Sequence, residues 1–157
     1  MTISNKTIFI LRLALGWIFF YAGFSKVMDP AWSAAGLLSG SQVLPSLYHW
    51  FASPGVLSVI NFVNEWGLLL LGVSLLLGLF VRLSSSFGIL LMALYYLPQL
   101  NFPIASKVYF LIDVHVIFIL GLVILIQAQA GQFWGLEQWL VRQPVYKKSS
   151  FLKRLVG

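Results

Sequence analysis

The sequence predicts an all-α membrane protein: a bundle of four transmembrane helices, with an interfacial segment between the first two helices and an amphipathic helix near the C-terminus. Three observations support this fold class. Apolar residues make up 60% of the 157 residues and charged residues only 9%, whereas a soluble domain has about 25% charged residues. The mean hydropathy is +0.92. Four apolar segments approach or exceed the roughly 20 residues that cross the hydrocarbon core of a bilayer.

We place the four spans at residues 7–28, 55–81, 83–97 and 108–127. The first span follows Lys6 and is too long for the apolar core of a signal peptide, so we expect an uncleaved helix. The third span is the shortest. It is bounded by Pro98 and Pro103, because a proline disfavours helix at the residue before it.

The connection between the first two spans is long and is interrupted by Pro30, Pro45 and Pro54. We expect one or two short helices there, lying in or over the membrane interface as a lid or collar. After the fourth span, the stretch GQFWGLEQWL is aromatic and amphipathic, which predicts a helix on the inner surface. Residues 1–141 then form the transmembrane domain, and residues 142–157 form a basic cytoplasmic tail.

The basic residues indicate an orientation. Lys6, Arg82 and the tail fall on one side of the predicted bundle, and Lys26 and Lys107 fall on the other. The positive-inside rule places both termini in the cytoplasm. Five of the ten basic residues lie in the tail, where anionic lipid headgroups account for them better than nucleic acid does. The absence of cysteine excludes disulfides and thiolate metal ligands.

Ionisable side chains inside spans are costly, and they mark either function or a structural ion pair. Glu65, Asp113 and His115 are the candidate catalytic residues. A structural pair of Glu65 with Lys26 or Arg12 is the alternative. Asp113 and His115 are two positions apart, which is about 200° around a helix, so we expect them to face different neighbours.

Most polar residues of the spans fall in the outward half of the bundle, which predicts a polar pocket at or just below the outer face. The candidate substrate-binding residues are Lys26, Arg12, Trp66, Tyr95, Tyr96, Gln99 and Lys107. Snorkelling of the basic groups and interfacial anchoring of the tyrosines are the alternatives. No metal site is predicted. A bis-histidine haem is disfavoured, because it would need His49 and His115 on facing elements.

Four stretches carry a family resemblance: LRLALGWIFFYAGFSKVMDP, NEWGLLLLGVSLLLGLFVRLSS, IDVHVIFILGLVIL and GQFWGLEQWL. In order and spacing they resemble the DoxX/DoxD family of small four-helix membrane proteins. The long first connection and the run LLMALYYL are more similar to the DoxD branch. The matching positions are Arg12, Gly16, Gly23, Lys26, Glu65, Trp66, Gly67, Gly72, Arg82, Asp113 and His115.

The resemblance implies a multi-pass protein of a bacterial or archaeal cytoplasmic membrane. It also implies a subunit of a thiosulfate:quinone oxidoreductase, which oxidises thiosulfate to tetrathionate with quinone as co-substrate and a DoxA-like or other redox subunit as partner. Two alternatives stay open. One is a non-catalytic scaffold that recruits a soluble oxidoreductase, and the other is a homo-oligomeric transporter of a weak acid or sulfur compound. The sequence identifies no cofactor.

Overall fold

The computed structural model describes residues 4–101, 103–105 and 109–143. The helices are α1 Asn5–Val27, α2 Ala35–Ser39, α3 Pro45–Phe51, α4 Pro54–Leu77, α5 Val81–Gln99, α6 Val114–Gln127 and α7 Leu136–Leu140. A small antiparallel sheet, β1 Leu100–Asn101, β2 Ile104–Ala105 and β3 Tyr109–Phe110, joins α5 to α6 in the order β1-β2-β3. The sequence did not predict this sheet. A single 3₁₀ turn, Ala130–Gln132, follows α6.

Within the described residues, α1, α4 and α5 are long and apolar enough to cross a membrane. The helix predicted over 108–127 starts later than predicted, because Asp113 caps α6 and the helix begins at Val114. Its 14 residues rise about 21 Å, which is shorter than a hydrocarbon core of about 30 Å. The structure therefore supports three full-length spans and one shorter apolar helix.

The ends of α4 and α5 also differ from the prediction. Gly78 adopts a left-handed conformation (φ 63°) at the C-terminus of α4, as glycine commonly does at helix ends. The predicted span 55–81 therefore ends early, at Leu77, and its last predicted residue, Val81, is the first residue of α5. At its other end, α5 continues past the predicted limit of residue 97 and includes Pro98 in its last turn.

The main core lies between two helix pairs. α1 packs along α4, and α5 packs along α6. Backbones approach most closely at Gly23 and Gly72: an added Cβ at either position would lie 2.2 Å from a backbone nitrogen of the facing helix, that of Leu69 or Phe20. Only glycine permits this approach. Phe19, Leu71, Leu75, Leu122 and Leu125 are among the fully buried side chains of this core.

Residues 29–53, which we call the cover, lie over one end of the bundle. α2 and α3 pack on α4 and α5 through a separate apolar cluster that includes Leu38 and Tyr48. Asn61 of α4 also holds the cover, because its Oδ1 accepts the N–H of Ala34 at 3.0 Å and its Nδ2 donates to Ser33 Oγ at 3.3 Å. One or two short helices were expected here, and the structure has two; their position at a membrane interface stays a prediction.

Pro98 explains how Tyr48 is positioned. A proline has no N–H, so it leaves the carbonyl four residues earlier, that of Leu94, without its helical donor. The Tyr48 hydroxyl donates to this carbonyl at 3.1 Å. Burial raises the pKa of the Tyr48 hydroxyl, which keeps it protonated as a donor. A proline in α5 thus creates the acceptor that anchors the cover.

The opposite end of the bundle, which we call the Arg12 end, is closed by the segment after α6. Arg12 is completely buried, and its guanidinium donates to the carbonyls of Ala130 (2.6 Å), Phe133 (3.0 Å) and Trp134 (3.2 Å). The amphipathic helix predicted over GQFWGLEQWL is shorter than predicted, because α-helix covers only Leu136–Leu140 of that stretch. The residues before α7 turn back to present these carbonyls to Arg12.

Glu137 completes the closure of the Arg12 end. It is 1% exposed, and its Oε1 accepts the N–H of Val81, the first residue of α5, at 2.6 Å. Its own N–H donates to the carbonyl of Gly78 at 3.0 Å. Burial raises the pKa of Glu137 to about 7, against the lowering effects of the Val81 N–H and the Arg12 charge. Residues 144–157, most of the predicted tail, lie outside the described part of the chain.

Candidate functional site

The carboxylate of Asp113 and the imidazole of His115 form a direct pair at the start of α6. Asp113 is the N-cap, and its Oδ1 accepts the backbone N–H groups of His115 (2.9 Å) and Val116 (3.3 Å). Its Oδ2 lies 2.6 Å from Nδ1 of His115. The expectation that the two side chains face different neighbours was wrong. It assumed a regular helix through both residues, whereas Asp113 precedes the helix.

This pairing fixes the proton on the imidazole. The Asp113 side chain is fully buried at the N-terminus of α6, where the helix dipole favours a negative charge. A carboxylate only accepts hydrogen bonds, so Nδ1 of His115 carries a proton and donates it. Nε2 is then the ring nitrogen left for a ligand, and the His115 side chain is 17% exposed.

Tyr95 of α5 connects this pair to α4. Its ring stacks on the ring of His115, with centroids 5.7 Å apart and planes inclined by 8°. Its hydroxyl donates to Oδ1 of Asn64 at 2.5 Å, and Asn64 is buried. The stacking and the hydrogen bond together hold the phenol in one orientation. Side chains of α4, α5 and α6 therefore form one continuous polar arrangement within an apolar bundle.

A cavity of about 130 Å³ lies beside this arrangement, and we call it the ligand pocket. It is lined by Ile18, Phe19, Ala22, Lys26, Leu68, Met92, Tyr95, His115 and Phe118. Its lining thus comes from all four long helices. Ile18 is 42% exposed, which places one edge of the pocket at the outer surface of the bundle, along the seam between α1 and α6. Because this surface faces lipid in a membrane, the pocket is open to lipophilic molecules.

Lys26 supplies the positive charge of the pocket. Its ammonium lies 5.0 Å from the ring centroid of Trp32 in the cover, a cation–π contact. Glu65 of α4 interacts with Lys26 electrostatically, although the ion pairs of the described residues do not include a direct contact between them. The pocket therefore combines an ammonium donor, an imidazole that can exchange a proton and a largely aromatic and aliphatic wall.

A family model supports the resemblance seen in the sequence. The model for DoxX matches residues 7–97, which is more than half of the chain. The chain belongs to the DoxX family. The predicted family membership is confirmed, and with it the assignment as a multi-pass membrane protein. No curated protein and no solved structure gives a match to the chain.

In this DoxX protein the candidate site extends beyond the matched residues. Lys26, Asn64 and Tyr95 lie within the match, whereas Asp113 and His115 follow it. In the described ranges, no group of three or more His, Cys, Asp and Glu side chains could hold a metal ion. The pocket's own chemistry is that of hydrogen bonding and proton exchange.

Four other candidate substrate-binding residues in the described part of the chain do not line the ligand pocket. Arg12 is enclosed at the Arg12 end. Trp66 is 41% exposed and packs on a neighbouring phenylalanine. The Tyr96 hydroxyl donates to the backbone carbonyl of Leu111, two residues before Asp113. Gln99 lines a separate open mouth between α2 and the sheet, and Lys107 lies outside the described residues.

Asn64 is the site residue that the sequence prediction left out. It adjoins Glu65 in an apolar helix, and its amide could have been singled out because a polar group inside a span needs a partner. The partner, Tyr95, is 31 residues away, and no spacing rule connects them. Glu65 was selected because of its charge, but it does not line the pocket. It interacts electrostatically with Lys26, which does line the pocket.

Proposed function

We propose that this DoxX protein is the membrane subunit of a quinone-linked oxidoreductase, with quinone bound in the ligand pocket and protonated through His115. One observation carries the proposal: the Asp113–His115 pair, stacked on Tyr95, borders a pocket with one edge at the outer surface of the bundle. A quinone is lipophilic and reaches its site from the bilayer. Its two carbonyl oxygens accept hydrogen bonds, and Lys26 is a donor in the same pocket.

The size of the pocket suits a quinone ring. Its volume of about 130 Å³ is close to the roughly 150 Å³ of an engineered apolar cavity that binds benzene. The apolar residues that line most of the pocket complement the faces of such a ring. The tail of the quinone extends through the seam between α1 and α6 into lipid.

Reduction of a quinone to a quinol takes up two electrons and two protons. In the proposed reaction two thiosulfate ions join through a new sulfur–sulfur bond to give tetrathionate, and they release the two electrons. Nε2 of the imidazolium form of His115 delivers one proton to a quinone oxygen, and Asp113 stabilises the charged form of the ring. The Lys26 ammonium delivers the second proton to the other oxygen, and water restores both donors. A DoxA-like or other redox partner subunit supplies the electron path, since this chain has no cysteine.

In this proposal thiosulfate approaches the protein at the cover end of the bundle. In the proposed orientation, with both termini in the cytoplasm, this end faces outward. An open mouth of about 710 Å³ lies there, and its mainly apolar lining includes the amide side chains of Gln42, Gln99 and Asn101. A hydrated oxyanion remains solvated in such a mouth, whereas burial in the apolar part of the bundle would cost many kcal/mol.

Quinone binding tests the proposal directly. Titration of a short-chain benzoquinone into the purified protein in nanodiscs should show saturable binding by calorimetry. His115→Gln should weaken it about tenfold or more, because the amide cannot reproduce the imidazole–carboxylate pair. Asp113→Asn should act in the same direction.

The matched control is His49→Gln. His49 lies on α3, where its Nε2 contacts the Ser39 carbonyl at the surface, so its replacement should leave affinity unchanged. Absence of binding by the wild-type protein, or equal affinity in the His115→Gln protein, would overturn the proposal. A wild-type protein that binds no quinone but still captures a soluble oxidoreductase would be a scaffold instead.

A further inference from the structure

A second cavity lies directly beyond the wall of the ligand pocket. This cover cavity, of about 80 Å³, is enclosed between the cover and the helices α4 and α5. Leu38 and Tyr48 line it from the cover, and Asn64 and Leu91 line it from the bundle. Tyr95 lines both cavities. The side chains of Tyr95 and Asn64, which we call the partition, therefore separate the two spaces.

The partition is held closed from both sides. On the side of the ligand pocket, the Tyr95 ring is stacked on His115, whose own orientation is fixed by Asp113. On the side of the cover cavity, the Tyr95 hydroxyl donates its only proton to Asn64. Moving Tyr95 would leave a buried hydroxyl and a buried amide oxygen without their partner, which is unfavourable in an apolar interior.

We infer that the hydrogen bond between Tyr95 and Asn64 makes the ligand pocket a single-ring site, which admits benzoquinones and rejects the fused two-ring head of naphthoquinones. This inference rests on the proposed quinone function and specifies the substrate class of the same site. Asn64 touches Tyr95 rather than the pocket, so it acts as a positioning residue that determines specificity.

The volumes on the two sides of the partition support this selectivity. The ligand pocket alone is near the size of a cavity for one six-membered ring. A second fused ring adds four carbons on the edge of the head opposite the tail, and we expect that edge to meet Tyr95 and His115, which line the pocket. The cover cavity lies beyond Tyr95, which lines both spaces, and we expect the two to become continuous when Tyr95 leaves Asn64. Selectivity then comes from a steric obstacle to the larger ring.

The test compares two ligands that share a decyl tail and differ in the head, a benzoquinone and a naphthoquinone. Affinities are measured in nanodiscs for each variant, together with a melting temperature that shows whether the variant is folded. The wild-type protein should bind the naphthoquinone about tenfold or more weakly than the benzoquinone. Asn64→Ala removes the acceptor and enlarges the cover cavity, so the two affinities should become similar.

Two more variants at the partition distinguish the effect of the Tyr95–Asn64 hydrogen bond from the effect of side-chain size. Tyr95→Phe removes the bond and keeps the ring, so it should also reduce the selectivity. Asn64→Asp keeps a hydrogen-bond acceptor of the same size, so this variant should retain the selectivity. If Asn64→Ala does not fold, these two variants decide the question. The matched control is Asn61→Ala, which loses two hydrogen bonds on the same helix but does not contact Tyr95, and should keep the wild-type selectivity.

The outcomes distinguish this inference from the function on which it rests. If the wild-type protein binds neither quinone, the proposed function fails and the inference fails with it. If it binds both with equal affinity, the proposed function stands and the inference alone is overturned. Unchanged selectivity in folded Asn64→Ala and Tyr95→Phe proteins would equally overturn it.

Discussion

Replacement of Glu137 by Gln should stabilise the protein at neutral and higher pH and have little effect at acidic pH. Glu137 caps the start of α5 from a completely buried position. The amide oxygen of Gln can accept the same N–H of Val81, so the cap is kept. What changes is the charge, since Gln cannot ionise.

The pKa of Glu137 determines the size and the sign of the expected change in the free energy of unfolding. Burial raises it from an ordinary 4.5 to about 7. Between these two pH values the folded state binds more protons than the unfolded state, so the free energy of unfolding falls as pH rises. At about 1.4 kcal/mol for each pH unit, the wild-type protein should lose about 3 kcal/mol between pH 4.5 and pH 7 through this group. The Gln variant should not show this loss.

The assay is equilibrium unfolding by SDS in mixed micelles, followed by tryptophan fluorescence at several pH values. Other titrating groups affect both proteins, so the difference between them isolates Glu137. Asp29→Asn is the matched control: Asp29 is exposed, and its replacement should leave the pH profile parallel to that of the wild type. If the Glu137→Gln and wild-type profiles are parallel as well, the argument from burial is refuted.

Two further predictions concern packing and the Arg12 end. Gly72→Ala should destabilise the protein by about 3 kcal/mol or more, because its Cβ would lie 2.2 Å from the backbone nitrogen of Phe20. Gly55→Ala, where nothing lies within 4 Å, should raise the melting temperature through helix propensity alone. Arg12→Met should cost about 3 kcal/mol by leaving one buried and two partly buried carbonyls without the Arg12 donor, and it should speed trypsin cleavage at Arg142. Arg12→Lys should show a smaller effect, and equal melting temperatures for Arg12→Met and the wild type would contradict this account.

The sequence predicts the long helices well because their signal is local. Apolar runs of about 20 residues identify α1, α4 and α5 wherever their partners lie. The structure shows close helix approach at Gly23 of α1 and Gly72 of α4. The start of α6 was predicted less well. Apolar residues such as Ile112 precede the N-cap Asp113, and hydropathy does not show where a helix is capped.

The candidate site depends on contacts that the sequence does not encode locally. Asp113 and His115 were singled out as ionisable residues in an apolar segment, but their pairing depends on one residue lying outside the helix. Asn64 and Tyr95 meet only through the packing of α4 on α5. Glu137 was overlooked because its role depends on the left-handed turn after α4, a feature far away in the chain.

The arrangement of the long helices has a consequence for motion. The interlocked glycine contacts join α1 and α4 into one rigid body, and α6 lies alongside α5 in a second. The ligand pocket lies where these two bodies meet. Small sliding of one body past the other is a shear motion, and it widens the seam between α1 and α6 without separating either close-packed pair. The rate of ligand exchange should therefore depend on the side chains along this seam, such as Ile18 and Phe118, more than on the polar groups that bind the ligand.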